Sequence, residues 1–200
     1  MAVSKFLTSR LSSKIWYSSL LAGNQQFLGN RGAYDSIATV TVGAGGASGI
    51  VFGSIPATYT HLQLRAIVRG NRSGALDEMG MRFNGGSANV TYHTLNGNGS
   101  AVAATAATAA GWSWFAPVAS ASETSGVFSS VVIDILDYSN TSKNKAFRAL
   151  TGYDNNGNGR IYLSSGVQLD TAAINDITII PSNTTFVQYS SFALYGIKGN

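Results

Sequence analysis

The spacing of apolar residues along the chain changes once, near residue 35. Between residues 4 and 22 it is helical: Leu7, Leu11 and Ile15 recur every four positions, with Leu21 close to them on the wheel. Trp16 and Leu20 fall on the other side, so the segment has two apolar faces, and its serines make it a marginal helix in isolation. Such a segment is expected to be covered by partners, as a docking arm, with packing on the chain's own body as the rival. Residues 25–33, with Gly29 and Gly32, read as a linker. The expected organisation is an arm and linker over residues 1–34 and a body over residues 35–200.

In the body the period is two. Ala38, Val40 and Val42 alternate with Thr39 and Thr41. Leu62, Leu64, Ala66 and Val68 alternate with Gln63, Arg65 and Arg69, with Ile67 the one exception. Further strands are expected at 50–55, 79–84, 90–95, 112–118, 127–136, 146–153, 160–164, 174–180 and 191–198. Asn84-Gly85, the 96–99 stretch and Asn155 to Gly159 supply turns, since Asn and Gly tolerate positive φ. Residues 96–111 are expected to form an outward-facing loop. The pattern predicts an all-β fold, a jelly-roll-like antiparallel β-sandwich carrying a short helical or extended N-terminal arm.

Two of these strands are apolar on both faces. Val131, Ile133 and Ile135 oppose Val132 and Leu136, and Phe192 and Leu194 oppose Tyr195 and Ile197. One face of an antiparallel sandwich strand ordinarily meets water. Val132, Leu136, Phe192, Leu194, Tyr195 and Ile197 are therefore the expected subunit interface, with the chain itself as partner.

Composition agrees with a covered surface. Charged residues are 11% of the chain, against about 25% in ordinary soluble domains. Four of the thirteen basic residues (Lys5, Arg10, Lys14, Arg31) precede the first acid, Asp35. The body then carries nine basic residues against all nine acidic ones, too balanced a surface for a nucleic-acid partner. Arg10 and Lys14 interrupt what would be the apolar core of a secretory signal, and they join the arm's apolar residues as expected docking groups. No membrane insertion is expected, because the bland 101–110 stretch is broken by Thr105 and Thr108 and is half the ~20 residues of a span.

Candidate chemistry is sparse. The absence of cysteine excludes disulfides, thiolate nucleophiles and thiolate metal sites. His61 and His93 lie in no serine-centred or metal-binding motif, so neither catalytic residues nor cofactors are expected. Asp134, amid Val132, Ile133 and Ile135, is expected to meet an arginine or a backbone amide. Asp154 to Gly159 matches the start of a calcium loop, but its twelfth position is Ser165 where a bidentate Glu is needed, so a hairpin turn is expected there. Trp112 and Trp114 are expected to pack on one face in the core or at a subunit contact; if exposed, they could join Tyr92 in stacking on a glycan.

Several stretches of the body resemble a family of tailed-phage virion proteins described as tail-fibre or structural proteins. The resemblance is carried by Tyr34-Asp35-Ser36-Ile37, by Ile55 to Arg65, by Met81-Arg82-Phe83-Asn84-Gly85, by Ile133 to Tyr138 and by Ser191 to Lys198. It implies a trimer-prone β module on a virion, on the exterior of tail or capsid, attached to other virion proteins by its arm and able to meet a host-surface glycan. It brings no catalytic residues. The chain has no shaft or collagen-like repeat, so a short tail fibre or receptor-binding module is the leading expectation, with a capsid decoration and a carbohydrate-binding module as alternatives.

Overall fold

The computed structural model describes residues 33–199 apart from 75, 87, 88, 111, 183 and 184. Among the described residues there is no helix. The body, Tyr34–Asn200, is one compact unit. Its described residues form twelve strands: β1 (Tyr34–Thr41), β2 (Ile50–Phe52), β3 (His61–Val68), β4 (Leu76–Phe83), β5 (Asn89–Gly97), β6 (Val102–Ala110), β7 (Ser113–Ala119), β8 (Ser129–Leu136), β9 (Lys145–Asn155), β10 (Asn158–Gln168), β11 (Ile177–Pro181) and β12 (Ser191–Ile197).

They form two sheets, one of eight strands in the order β1-β12-β3-β8-β9-β10-β5-β6 and one of four in the order β2-β11-β4-β7. Every ladder between these strands is antiparallel. The order contains a recognisable subset: β1-β12-β3-β8 opposite β2-β11-β4-β7 is the eight-strand double Greek key of a jelly roll. Two hairpins interrupt it. β5–β6 is inserted between β4 and β7, and β9–β10 between β8 and β11; both join the large sheet and lengthen it by four strands. The all-β sandwich expected from the alternation is the fold observed, with this extension added.

Alternation places the core. Leu62, Leu64, Val68, Ile133, Ile135, Phe192 and Leu194 of the large sheet meet Met79, Met81, Phe83, Phe115, Val118, Ile177 and Ile179 of the small one, all at most 2% exposed. Burying side chains of this size contributes roughly 1.5–3 kcal/mol each. Ile67, the exception in β3, points outward and is 51% exposed. The extension is tied to this core by Phe147 of β9, whose ring lies 4.7 Å from Phe115 and 6.4 Å from Phe83. It also covers Gly166 of β10, where an added Cβ would come within 2.3 Å of the ring.

Two cationic side chains are buried and organise loops. The Arg69 guanidinium donates to the carbonyls of Glu123 (2.7 Å), Thr124 (2.7 Å), Val127 (2.9 Å) and Ala121 (3.3 Å), so the loop before β8 is folded around it. Lys145, 1% exposed, donates to the carbonyls of Asn140, Lys143 and Thr171. Burial holds its ammonium below the usual lysine pKa.

The turns follow their chemistry. Asn156 and Gly157 have φ of 52° and 106° and join β9 to β10 as a two-residue hairpin, so residues 154–159 form the expected turn. Asn84 and Gly85 (φ 54° and 59°) instead turn the chain from the small sheet to the large one. One expectation is corrected. Residues 102–110 are strand β6 and not a loop: alanine has little strand preference of its own, but a continuous ladder from β5 fixes the backbone, and the hydroxyls of Thr94 and Thr105 meet across it at 2.5 Å.

Candidate functional site

Register across the large sheet defines what each side of it displays. Val132, Leu150, Leu163, Leu95 and Ala104 are directly paired in sequence across β8, β9, β10, β5 and β6, and side chains so paired share a face. All five point away from the small sheet. Beside them, Ile161 and Val102 flank Gly97 on the same side. Leu95, Leu150, Leu163, Ile161 and Val102 are between 49% and 76% exposed. They line a shallow depression of about 310 Å³, next to a second of about 670 Å³ that reaches Ala104, Ala106 and Arg148. Monomers rarely leave such a contiguous apolar surface open to water.

The neighbouring row is polar. Asp134 accepts hydrogen bonds from Gln63 Nε2 (2.7 Å) and Arg148 Nε (3.0 Å), the arginine partner expected for it, and the row continues through Ser165 to His93. Asp137 lies past the end of β8 in a turn, with φ 47°, where Lys143 holds its carboxyl below the usual range. Its main-chain N–H donates to His61 Nδ1 at 3.0 Å. These groups form a bracket around the turn and not an acid–base pair.

The expected subunit interface divides. Val132 and Leu136 are 37% and 41% exposed and available to a partner. Phe192 and Leu194 are not: both are fully buried in the chain's own core, which corrects their assignment. A strand apolar on both sides does not reveal which set of residues the second sheet covers, and here it covers Phe192 and Leu194. Tyr195 and Ile197 take the outer side and are half-buried; Tyr195 meets Tyr34 edge-on at 6.5 Å, with the Arg65 guanidinium over both rings. The arm residues Leu7, Arg10, Leu11, Lys14, Ile15, Trp16, Leu20 and Leu21 lie outside the described residues.

The opposite side of the extension holds a groove. Four strands cannot cover eight, so β5 and β6 overhang β7, the edge of the small sheet. The step encloses about 550 Å³, lined from the overhang by Tyr92, Thr94, Asn96 and Thr105, from β10 by Tyr162, and from the small sheet's side by Trp114, Glu78 and Arg72. Trp114 is held flat over Gly80, where a Cβ would fall 2.6 Å from the indole. Trp112 stacks on Trp114 (centroids 5.9 Å, 26°) beneath the Arg82 guanidinium at 4.5 Å. The indole pair is thus partly exposed and lies outside the core, and only Trp114 joins Tyr92 in the groove.

Partial burial raises the Tyr92 pKa, with the Glu78 charge adding to the effect and the Trp114 main chain opposing it. Burial also raises Glu78, opposed by Arg72 and reinforced by Asp77. The free edge of β7 beside the groove is closed to an added strand. The Phe115 carbonyl accepts from Ser164 Oγ (2.7 Å), the Pro117 carbonyl accepts from Thr151 Oγ1 (3.1 Å), and Pro117 has no N–H. Sequence reasoning missed Arg72, Glu78 and Tyr162, whose approach depends on where the overhang begins, and no local pattern encodes that. No family model matches this chain, and no curated protein and no solved structure is found similar to it.

Proposed function

We propose that this chain is a structural component of a tailed-phage virion, a short tail fibre or receptor-binding β module that assembles as a homotrimer and attaches to the particle through residues 1–34. Three things support the reading: the resemblance of the body to virion proteins, a jelly-roll topology of the kind that capsid and lectin domains use, and an open apolar surface. The last carries it. Leu95, Leu150, Leu163, Ile161 and Val102 are 49–76% exposed in the isolated chain, and a second copy seated on them would remove them from water. Fold alone does not select among roles. Nothing in the groove or the polar row assembles a nucleophile, a base and an orienting group, so a non-enzymatic role is the reading we adopt.

Sedimentation velocity of the full chain tests it. The expected species has three times the 20.9 kDa chain mass, and Leu150→Lys with Leu163→Lys yields a folded monomer. A stable wild-type monomer at micromolar concentration would refute the assembly. Deleting residues 1–30 is expected to leave the trimer intact and abolish its incorporation into particles. Copy number per particle then separates a tail location (low) from a capsid decoration (high).

A further inference from the structure

We infer that the groove beneath the β5–β6 overhang is a saccharide-binding site, with Trp114, Tyr92 and Tyr162 as stacking surfaces and Glu78, Arg72 and Thr105 as hydroxyl partners. The inference does not rest on the virion role, because a single chain presents the whole site. The groove also lies on the side of the large sheet opposite the apolar row. Assembly through that row leaves it open.

Chemistry selects the ligand class. At about 550 Å³ the groove falls within the roughly 300–1,000 Å³ of small-molecule sites. Its lining combines three part-exposed aromatic residues, and the buried Phe115, with a carboxylate, a guanidinium, an amide and two threonine hydroxyls. A sugar ring presents the same combination: C–H faces that lie on aromatic rings and a rim of hydroxyls that both donate and accept. Trp114 is preorganised for stacking, since Gly80 beneath it and Trp112 beside it fix the indole plane.

Other ligands fit less well. A nucleic acid would bring phosphates to a groove with one cation, Arg72, and a carboxylate beside it. An extended peptide would need the free edge of β7, which Ser164, Thr151 and Pro117 close. Hydrolysis of a bound glycan needs a second carboxyl some 5–9.5 Å from the first. Glu78 is the one acid among the lining residues, and its neighbour Asp77 is fully buried on the other face of β4. The site therefore binds without cleaving.

The test is a glycan array probed with the full chain, followed by titration of the best-bound oligosaccharide using tryptophan fluorescence. Saturable binding of at least one array glycan is expected. Trp114→Ala and Thr105→Trp should each weaken it at least tenfold, while Ile67→Ala, on the outward side of β3 and away from the groove, changes it less than twofold. Thr105 is exposed on β6, so Thr105→Trp fills the groove without touching the core, and an unchanged melting temperature verifies that variant even if Trp114→Ala does not fold. Failure of every array glycan to bind the wild-type chain, or binding that survives Thr105→Trp, would overturn the inference. Sedimentation of the same samples keeps that result separate from the assembly: a trimer that binds no glycan sinks this proposal alone.

Discussion

The two halves of the large sheet divide apolar and polar residues between their sides differently. In β1-β12-β3-β8 the inward positions include Val40, Phe192, Leu194, Leu62, Leu64, Ile133 and Ile135, and the outward ones include Thr39, Thr41, Ala193, Gln63 and Arg65, with Ile67, Val132 and Leu136 as apolar exceptions. In β9-β10-β5-β6 the inward positions join Phe147, Ala149 and Val90 to Lys145, Thr151, Ser164, Gln168, Thr94 and Thr105, and the outward ones carry Leu150, Leu163, Leu95, Ile161 and Val102 beside the polar row of Arg148, Ser165 and His93. Hydrogen bonding runs unbroken through both halves, so backbone pairing does not dictate which side is greasy. What differs is the opposing layer. The small sheet covers the jelly-roll half and thins out under the extension, where polar inward groups cap the edge of β7 and line a groove. The extension carries an exposed apolar row on the side that no other described strand covers.

Phe147→Ala attacks the one large apolar side chain by which β9 reaches the core. A loss of roughly 3–5 kcal/mol is expected in urea unfolding, and a loss near zero would mean the extension is not anchored there. Gly166→Ala sets a methyl against the Phe147 ring; overpacking of this kind costs about 1–3 kcal/mol and should appear as a lowered melting temperature. A smaller effect is expected from alkaline pH. Tyr153 of β9 donates its hydroxyl proton to Glu123, and burial with that carboxylate beside it raises its pKa from 10.0 to about 12. The folded state keeps the proton over a range in which the unfolded chain loses it. Stability from this contact is therefore full below pH 10 and lost as pH rises toward 12. Solvent screens the pair, so the loss should be less than that of either substitution, and Tyr153→Phe should flatten it. Smallest of all, Leu163→Ser should change the folding stability of the monomer by no more than about 0.5 kcal/mol while weakening self-association. A large folding loss from Leu163→Ser would erase the contrast between the halves.

The jelly-roll half was legible in the sequence because its alternation is clean: Leu62 to Val68 and Ala38 to Val42 declare their faces, and Ile67 stands out as the exception it is. The extension was less so. Its β9 and β10 segments read as strands, but β6, nearly all alanine and threonine, carries no hydrophobic rhythm and exists through its ladder with β5. Phe192 and Leu194 were misread as interface because period two assigns residues to opposite faces without saying which face another layer will meet. Asp134 could be read, since a carboxylate flanked by isoleucines needs a donor wherever the strand lies, and Arg148 and Gln63 supply it. The groove could not, because Arg72, Glu78, Tyr92, Trp114 and Tyr162 meet only once two sheets of unequal width are stacked.

Among the described residues, strand β1 has a single neighbour in its sheet, β12, which lies about 150 residues later in the chain. A ribosome adding 5–20 residues per second leaves β1 waiting for its partner through roughly 150 further residues, on the order of 8–30 s. Over that interval β3, too, lacks a companion on one flank. Closure of the sandwich thus waits for the synthesis of Ser191–Ile197. Truncated nascent chains that stop short of Ser191 should therefore remain protease-sensitive along Tyr34–Thr41.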